Sequence, residues 1–129
     1  MNQSEIREGI WQARNKMLDL HKLLIDAEKR EIELISGGIS PAQFLGLLME
    51  DAELAWLRLI SGLIVRIDES FDAKDGIPND LLEELRREVE MLFDDGDHNA
   101  EFKSKLAARA GSLPDAEAMV KQILASTKA

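Results

Sequence analysis

Arg14, His21 and Glu28 stand seven positions apart in the first third of this 129-residue chain, inside a stretch that reads as one long helix. Seven residues are close to two helical turns, so the three side chains form a single line along one side of that helix. On a helical wheel the line falls between two apolar stripes. One holds Ile6, Ile10, Ala13, Met17, Leu20, Leu24 and Ala27; the other, at heptad spacing, holds Trp11, Leu18, Ile25 and Ile32. Ionisable groups in such a place need a partner or water, because an unpaired charge away from solvent is costly. One reading is a pocket or metal site between helices, with His21 and Glu28 as ligands or acid–base groups. The other is pairing across a helix–helix or subunit seam, with Arg58, Asp68 or Glu69 as partners, or long stems reaching past apolar neighbours to water. His21 and Glu28 are separated by about 10 Å of helix rise, too far to bind one ion directly. The balance therefore favours a seam, with Arg14, His21, Glu28, Arg58 and Asp68 as its candidate residues.

Other chemistry finds less support. Two histidines, His21 and His98, and no Cys exclude thiolate sites, disulfides and a cysteine nucleophile. No Glu-x-x-His pair of the kind used by di-iron bundles is present. Asp95, Asp97 and Asn99 have the alternate spacing that opens a calcium loop, but Ala100 stands where the turn glycine belongs and Leu106 where the closing Glu belongs. That segment reads as a solvated acidic turn. Gly37-Gly38 precedes a helix without the Lys and Ser/Thr of a phosphate-binding loop. No cofactor or metal is expected, and the reading leans away from an enzyme.

The elements that must position these residues are all helical. The first helix is expected from about residue 4 to Ile35, capped by Asn2 or Ser4 and ended by Gly37-Gly38. Ser40-Pro41-Ala42-Gln43 is a capping box with proline at the first helical position. The helix it opens runs to Glu50-Asp51, where Asp51 can cap a fresh segment, so a kink or break is expected near residues 50–52. Beyond it, Leu54 to Ile67 is apolar on nearly every side, interrupted only by Arg58, Ser61, Gly62 and Arg66. Such a helix is expected to be buried at the centre of the fold, with Ser61-Gly62 letting another helix approach closely. The loop at 72–79 precedes a helix that Asp80 and Glu83 would cap, ending near Phe93, with Leu82, Leu85, Val89 and Leu92 inward and Glu83 and Arg87 supporting it from outside. Two short helices follow: Ala100 to Ala110 with Phe102 and Leu106 inward, and one from Pro114 with Met119, Val120, Ile123 and Leu124 inward. The predicted fold is all-α, a single domain over residues 1–129 built as a bundle of about five helices around the central one.

An apolar fraction of 45% suits a packed core rather than a disordered chain, and only four Phe and two Trp leave that core to aliphatic side chains. The net charge of −9 is uneven. Residues 66–101 hold 13 acids against 4 bases, while residues 102–129 hold 2 acids against 5 bases. The acidic middle argues against a nucleic-acid partner. The opening residues carry charges throughout, unlike a secretory signal, and the 54–67 run is too short for a membrane span and holds Arg58. A soluble, cytoplasmic protein with no membrane partner is expected.

Three stretches, LHKLLIDAEKREIE, GGISPAQFLGLLMEDAELAWLRLISGLIVRIDE and FKSKLAARAGSLPDAEAMVKQIL, resemble a family of small uncharacterised bacterial all-helical proteins, a domain of unknown function. The similarity spans most of the chain and is densest from Leu20 to Glu69. Members of that family place an Asp-Pro pair where this chain has Asp51-Ala52, which favours a break there. The resemblance implies a bacterial cytosolic helical domain and carries no catalytic residues. Function is therefore read as a non-enzymatic protein-interaction or regulatory module. A homodimer is expected, because the first helix is apolar over a wider arc than one intramolecular seam uses; another protein is the other candidate partner. The alternative is a helical bundle that binds a small ligand or metal at the seam of the first and central helices. A lesser third reading is an acidic mimic of nucleic acid that uses residues 66–101.

Overall fold

The computed structural model describes residues 2–128 and is helical throughout, with no strand among them. Six α-helices follow one another: α1 (Gln3–Ser36), α2 (Pro41–Glu50), α3 (Leu57–Phe71), α4 (Asn79–Phe93), α5 (Ala100–Ala110) and α6 (Pro114–Ser126). The count exceeds the expected five because the segment from 41 to 71 is cut in two. Asp51 leaves the helical region, and its carboxylate accepts from the amide of Glu53 at 2.8 Å. A 3₁₀ turn over Ala52–Leu54 intervenes before α3 begins. The break needs no proline: a side chain that competes for backbone amides is enough to end one helix and start another.

Local signals set the ends. Asn2 caps α1 through the amide of Glu5, and Gly37 closes it with φ near +80°. The Ser40 capping box is complete, with Ser40 Oγ accepting from the Gln43 amide at 3.1 Å and Gln43 Oε1 from the Ser40 amide at 2.9 Å. Asp80 behaves otherwise. Helix α4 starts one residue earlier at Asn79, and the Asp80 carboxylate accepts only from the neighbouring Leu81 amide. Pro78 already stands before the first turn with its backbone extended, so the entry is set upstream of Asp80. On the outer side of α4 it is Arg86, not Arg87, that pairs, bridging Glu83 and Glu90 at 2.8 Å each.

The organising element is α1, not the 54–67 segment. Helix α1 packs against α6, α3 and α4, and its first apolar stripe, Ile6 through Ala27, is buried over all seven positions. Helix α3 buries Leu57, Ile60, Ile64 and Ile67 on one side, while Leu59 and Val65 are about half exposed. A methyl placed on Gly62 would meet nothing within 4 Å, so no helix of this chain approaches there. A length of 34 residues explains the inversion: only α1 is long enough to offer one continuous apolar stripe to several shorter partners. At the opposite end α5 is held by Phe102 and Leu106 and α6 by Ala116 and Ile123, whereas Met119, Val120 and Leu124 are half-buried against the core.

Candidate functional site

Antiparallel packing of α1 on α3 sorts the polar line into separate partnerships. Near the start of α1, Arg14 grips Asp68 with two hydrogen bonds, Nε to Oδ1 at 2.8 Å and Nη2 to Oδ2 at 2.9 Å. This is the two-pronged geometry that suits a guanidinium to a carboxylate. The bond to Asp68 holds the Arg14 charge still more firmly than usual. One turn further out, Trp11 stacks on Phe71 at 5.4 Å between ring centres. Arg14 lies over the Trp11 ring at 4.9 Å and Arg7 over the Phe71 ring at 5.2 Å. The result is a pair of stacked rings held between two cations across the end of the α1–α3 seam.

Glu28 turns to a different neighbour. Arg109 of α5 donates to its Oε1 from Nε at 3.0 Å and from Nη2 at 2.8 Å, and approaches Glu31 at 3.7 Å. The Glu28 side chain keeps only 14% of its exposure, so this pair is the most enclosed cross-helix ion pair among the described residues. Nothing in the sequence pointed to Arg109, because 81 positions separate it from Glu28 and only the folded chain brings them together. Truncating Glu28 to Ala leaves Arg109 without its main acceptor. Since the pair is sheltered but not fully dry, the expected loss is about 1–2 kcal/mol, read as a lower urea midpoint.

His21 pairs with no carboxylate. It is half-buried beside the backbone of Leu57, and burial is the larger influence, pushing its pKa below the ordinary value of 6.5 against the opposing hydrogen bond to that backbone. His21 is therefore neutral at pH 7. Because the folded pKa is depressed, the unfolded chain takes up a proton first as pH falls below 6.5, and stability is lost from that point downward. A His21→Gln variant should lose less stability than the parent between pH 7 and pH 5. Equal losses in urea titrations across that window would contradict the assignment.

With Ile25, Leu45, Leu48, Met49, Leu57, Arg58 and Ser61, His21 lines a cavity of about 230 Å³ between α1, α2 and α3. Arg58 donates to the Leu48 carbonyl at 2.8 Å, tying α3 to the end of α2. So of the five residues proposed from the sequence, Arg14 and Asp68 pair, His21 and Arg58 share a cavity, and Glu28 belongs elsewhere. They do not converge on one centre. Among the described residues no three His, Asp or Glu side chains stand close enough to share a metal ion.

The acidic turn after α4 is organised internally. Asp94 accepts from the Gly96 amide at 2.9 Å and from Lys103 Nζ at 2.8 Å, while Lys103 also donates to the Gly96 carbonyl. The Lys103 bond, with that of Gly96, holds the Asp94 carboxyl below its usual range. The anchor is Asp94, not the Asp95–Asp97–Asn99 trio whose spacing suggested calcium. Among the described residues no single helix is long and apolar enough to cross a membrane. Comparison of the chain with protein-family models, with curated proteins and with solved structures finds no match.

Proposed function

We propose that this chain is a non-enzymatic helical interaction module that pairs with a second copy of itself across the α1–α2–α3 face. One observation carries the reading: the second apolar stripe of α1 is only partly covered by the fold. Trp11 and Leu18 keep 38% and 40% exposure, while Ile25 and Ile32 are half-buried. Beside that stripe Leu45 and Met49 of α2 are 57% and 67% exposed, and Val65 of α3 is 53% exposed. Leu18 and Val65 each lie one turn inward from the Arg14–Asp68 pair on their own helices, so they flank the same groove. Contiguous exposed apolar surface marks an interaction site.

Charge selects the partner. The acidic excess lies in residues 66–101, which include α4, and pairing through α4 would set like charges together. An apolar face is its own complement, the requirement for a two-fold interface between identical chains. The resemblance to small bacterial cytosolic helical proteins is consistent with such a module and forms part of the same proposal.

Sedimentation over a wide concentration range tests it, with a reversible dimer as the expected result. A Leu18→Glu, Met49→Glu variant should keep its helical circular dichroism and dissociate at least about 100-fold more readily. Two buried apolar side chains are worth about 1.5–3 kcal/mol each, and the two-fold counts each substitution twice. A parent chain that stays monomeric at every concentration would sink the proposal.

A further inference from the structure

The cavity between α1, α2 and α3 has a chemistry of its own, supplied by one chain, although Leu45 and Met49 at its rim also belong to the proposed dimer face. Its walls are Ile25, Leu45, Leu48, Met49 and Leu57, with Met49 a flexible side chain at the rim that can adapt to an occupant. The polar lining is limited to His21, Ser61 and Arg58. Ser61 spends its hydroxyl proton on the Arg58 carbonyl at 3.3 Å. His21, its pKa lowered by burial, is uncharged at neutral pH. That leaves Arg58 as the one ionised group on the lining. Its guanidinium carries five N–H donors, of which one is committed to the Leu48 carbonyl, and it makes no ion pair among the described residues.

An apolar chamber with one cation at its edge matches a ligand with an apolar body and one anionic end. The pocket is open to solvent on the α2 side, where Leu45 and Met49 are exposed, and its volume of about 230 Å³ is large enough for a benzene-sized body whose polar end faces the exposed Arg58. We infer that the α1–α2–α3 cavity binds a small apolar carboxylate, of the size of a monocyclic aromatic acid, with its ring against Ile25, Leu48 and Leu57 and its carboxylate on Arg58. A flat, two-oxygen anion is the partner that the unused edge of a guanidinium fits best. Helix α2 supplies much of the enclosure, since Leu45, Leu48 and Met49 all come from it, so the Asp51 break and the Arg58–Leu48 bond set how the chamber is closed.

Calorimetric titration of the full chain with benzoate, and with benzamide as the neutral analogue of the same shape, tests the site. One benzoate per chain should bind, at least about tenfold more tightly than benzamide, because only the carboxylate gains a charge-assisted bond to Arg58. Arg58→Gln should erase the preference for benzoate over benzamide. Ser61→Leu should fill the chamber and abolish binding of both; if that variant does not fold, Ile25→Phe narrows the same space from α1. The inference is overturned if benzoate shows no saturable binding at millimolar concentration, if benzamide binds as well as benzoate, or if benzoate binding survives the filled cavity. Sedimentation of the same samples with and without benzoate reads the dimer separately, so either proposal can fail alone.

Discussion

Replacing Phe102 with Ala will cost about 3–5 kcal/mol, the largest loss expected from any single truncation in this protein. Phe102 is only 1% exposed and stands where three segments meet. Its ring lies 5.9 Å from that of Trp56, just before α3, and 5.8 Å edge-on from that of Phe93, at the end of α4. Truncation removes both aromatic contacts, each worth about 0.5–1.5 kcal/mol beyond the area buried, and leaves a space that rigid neighbours cannot close. Helix α5 has 11 residues and only Phe102 and Leu106 buried, too little to persist without its anchor. Loss of Phe102 should therefore release α5 locally and with it the Arg109–Glu28 pair. Urea denaturation would give the cost, and amide hydrogen exchange over residues 100–110 would show the release. A cost below about 1 kcal/mol would mean that the three rings do not form the joint described.

Gly9→Ala will destabilise the protein by about 2–3 kcal/mol, although alanine is the better helix former by about 1 kcal/mol. Gly9 lies inside α1, and a methyl at that position would overlap the backbone carbonyl oxygen of Ser126, at the end of α6. A backbone carbonyl cannot swing aside as a side chain would, so α6 must lift from α1 along its longest packed seam. Gly62→Ala is the built-in contrast. It too lies inside a helix, but its methyl would point into open space, so the monomer should gain about 0.5–1 kcal/mol from propensity alone. Thermal unfolding of the two variants at low concentration should shift in opposite directions. A stabilised Gly9→Ala would contradict the close contact of α1 with α6.

Much of the architecture is legible in the sequence. The seven-residue stripe from Ile6 to Ala27 is buried at every position, and Ser40, Gly37 and Pro114 punctuate the helices where their backbone chemistry requires. The break at Asp51 also follows from local hydrogen-bonding preference, which is why it survives without a proline. The candidate site was legible only in part. Arg14 with Asp68 could be proposed because both lie on helices whose apolar faces must meet. Arg109 could not, since the pairing of α5 with α1 depends on how the connections from α3 to α5 return the chain.

Two expectations drawn from composition failed for the same reason. An apolar circumference places Leu54–Ile67 at the centre, and a small Ser61-Gly62 step invites a helix, but neither property says how many neighbours exist to cover it. The sequence by itself determined the helical class, most helix ends, the stripe that became the core and the sharp charge division between the middle and the end of the chain. These rest on interactions within a few residues, where spacing is geometry. Only the tertiary structure decided that α1 is the hub, that the Arg14–His21–Glu28 line splits among Asp68, the α1–α2–α3 cavity and Arg109, and that Leu18, Met49 and Val65 stay exposed. Those outcomes depend on which surfaces compete for burial against one another, a competition that no single helix records.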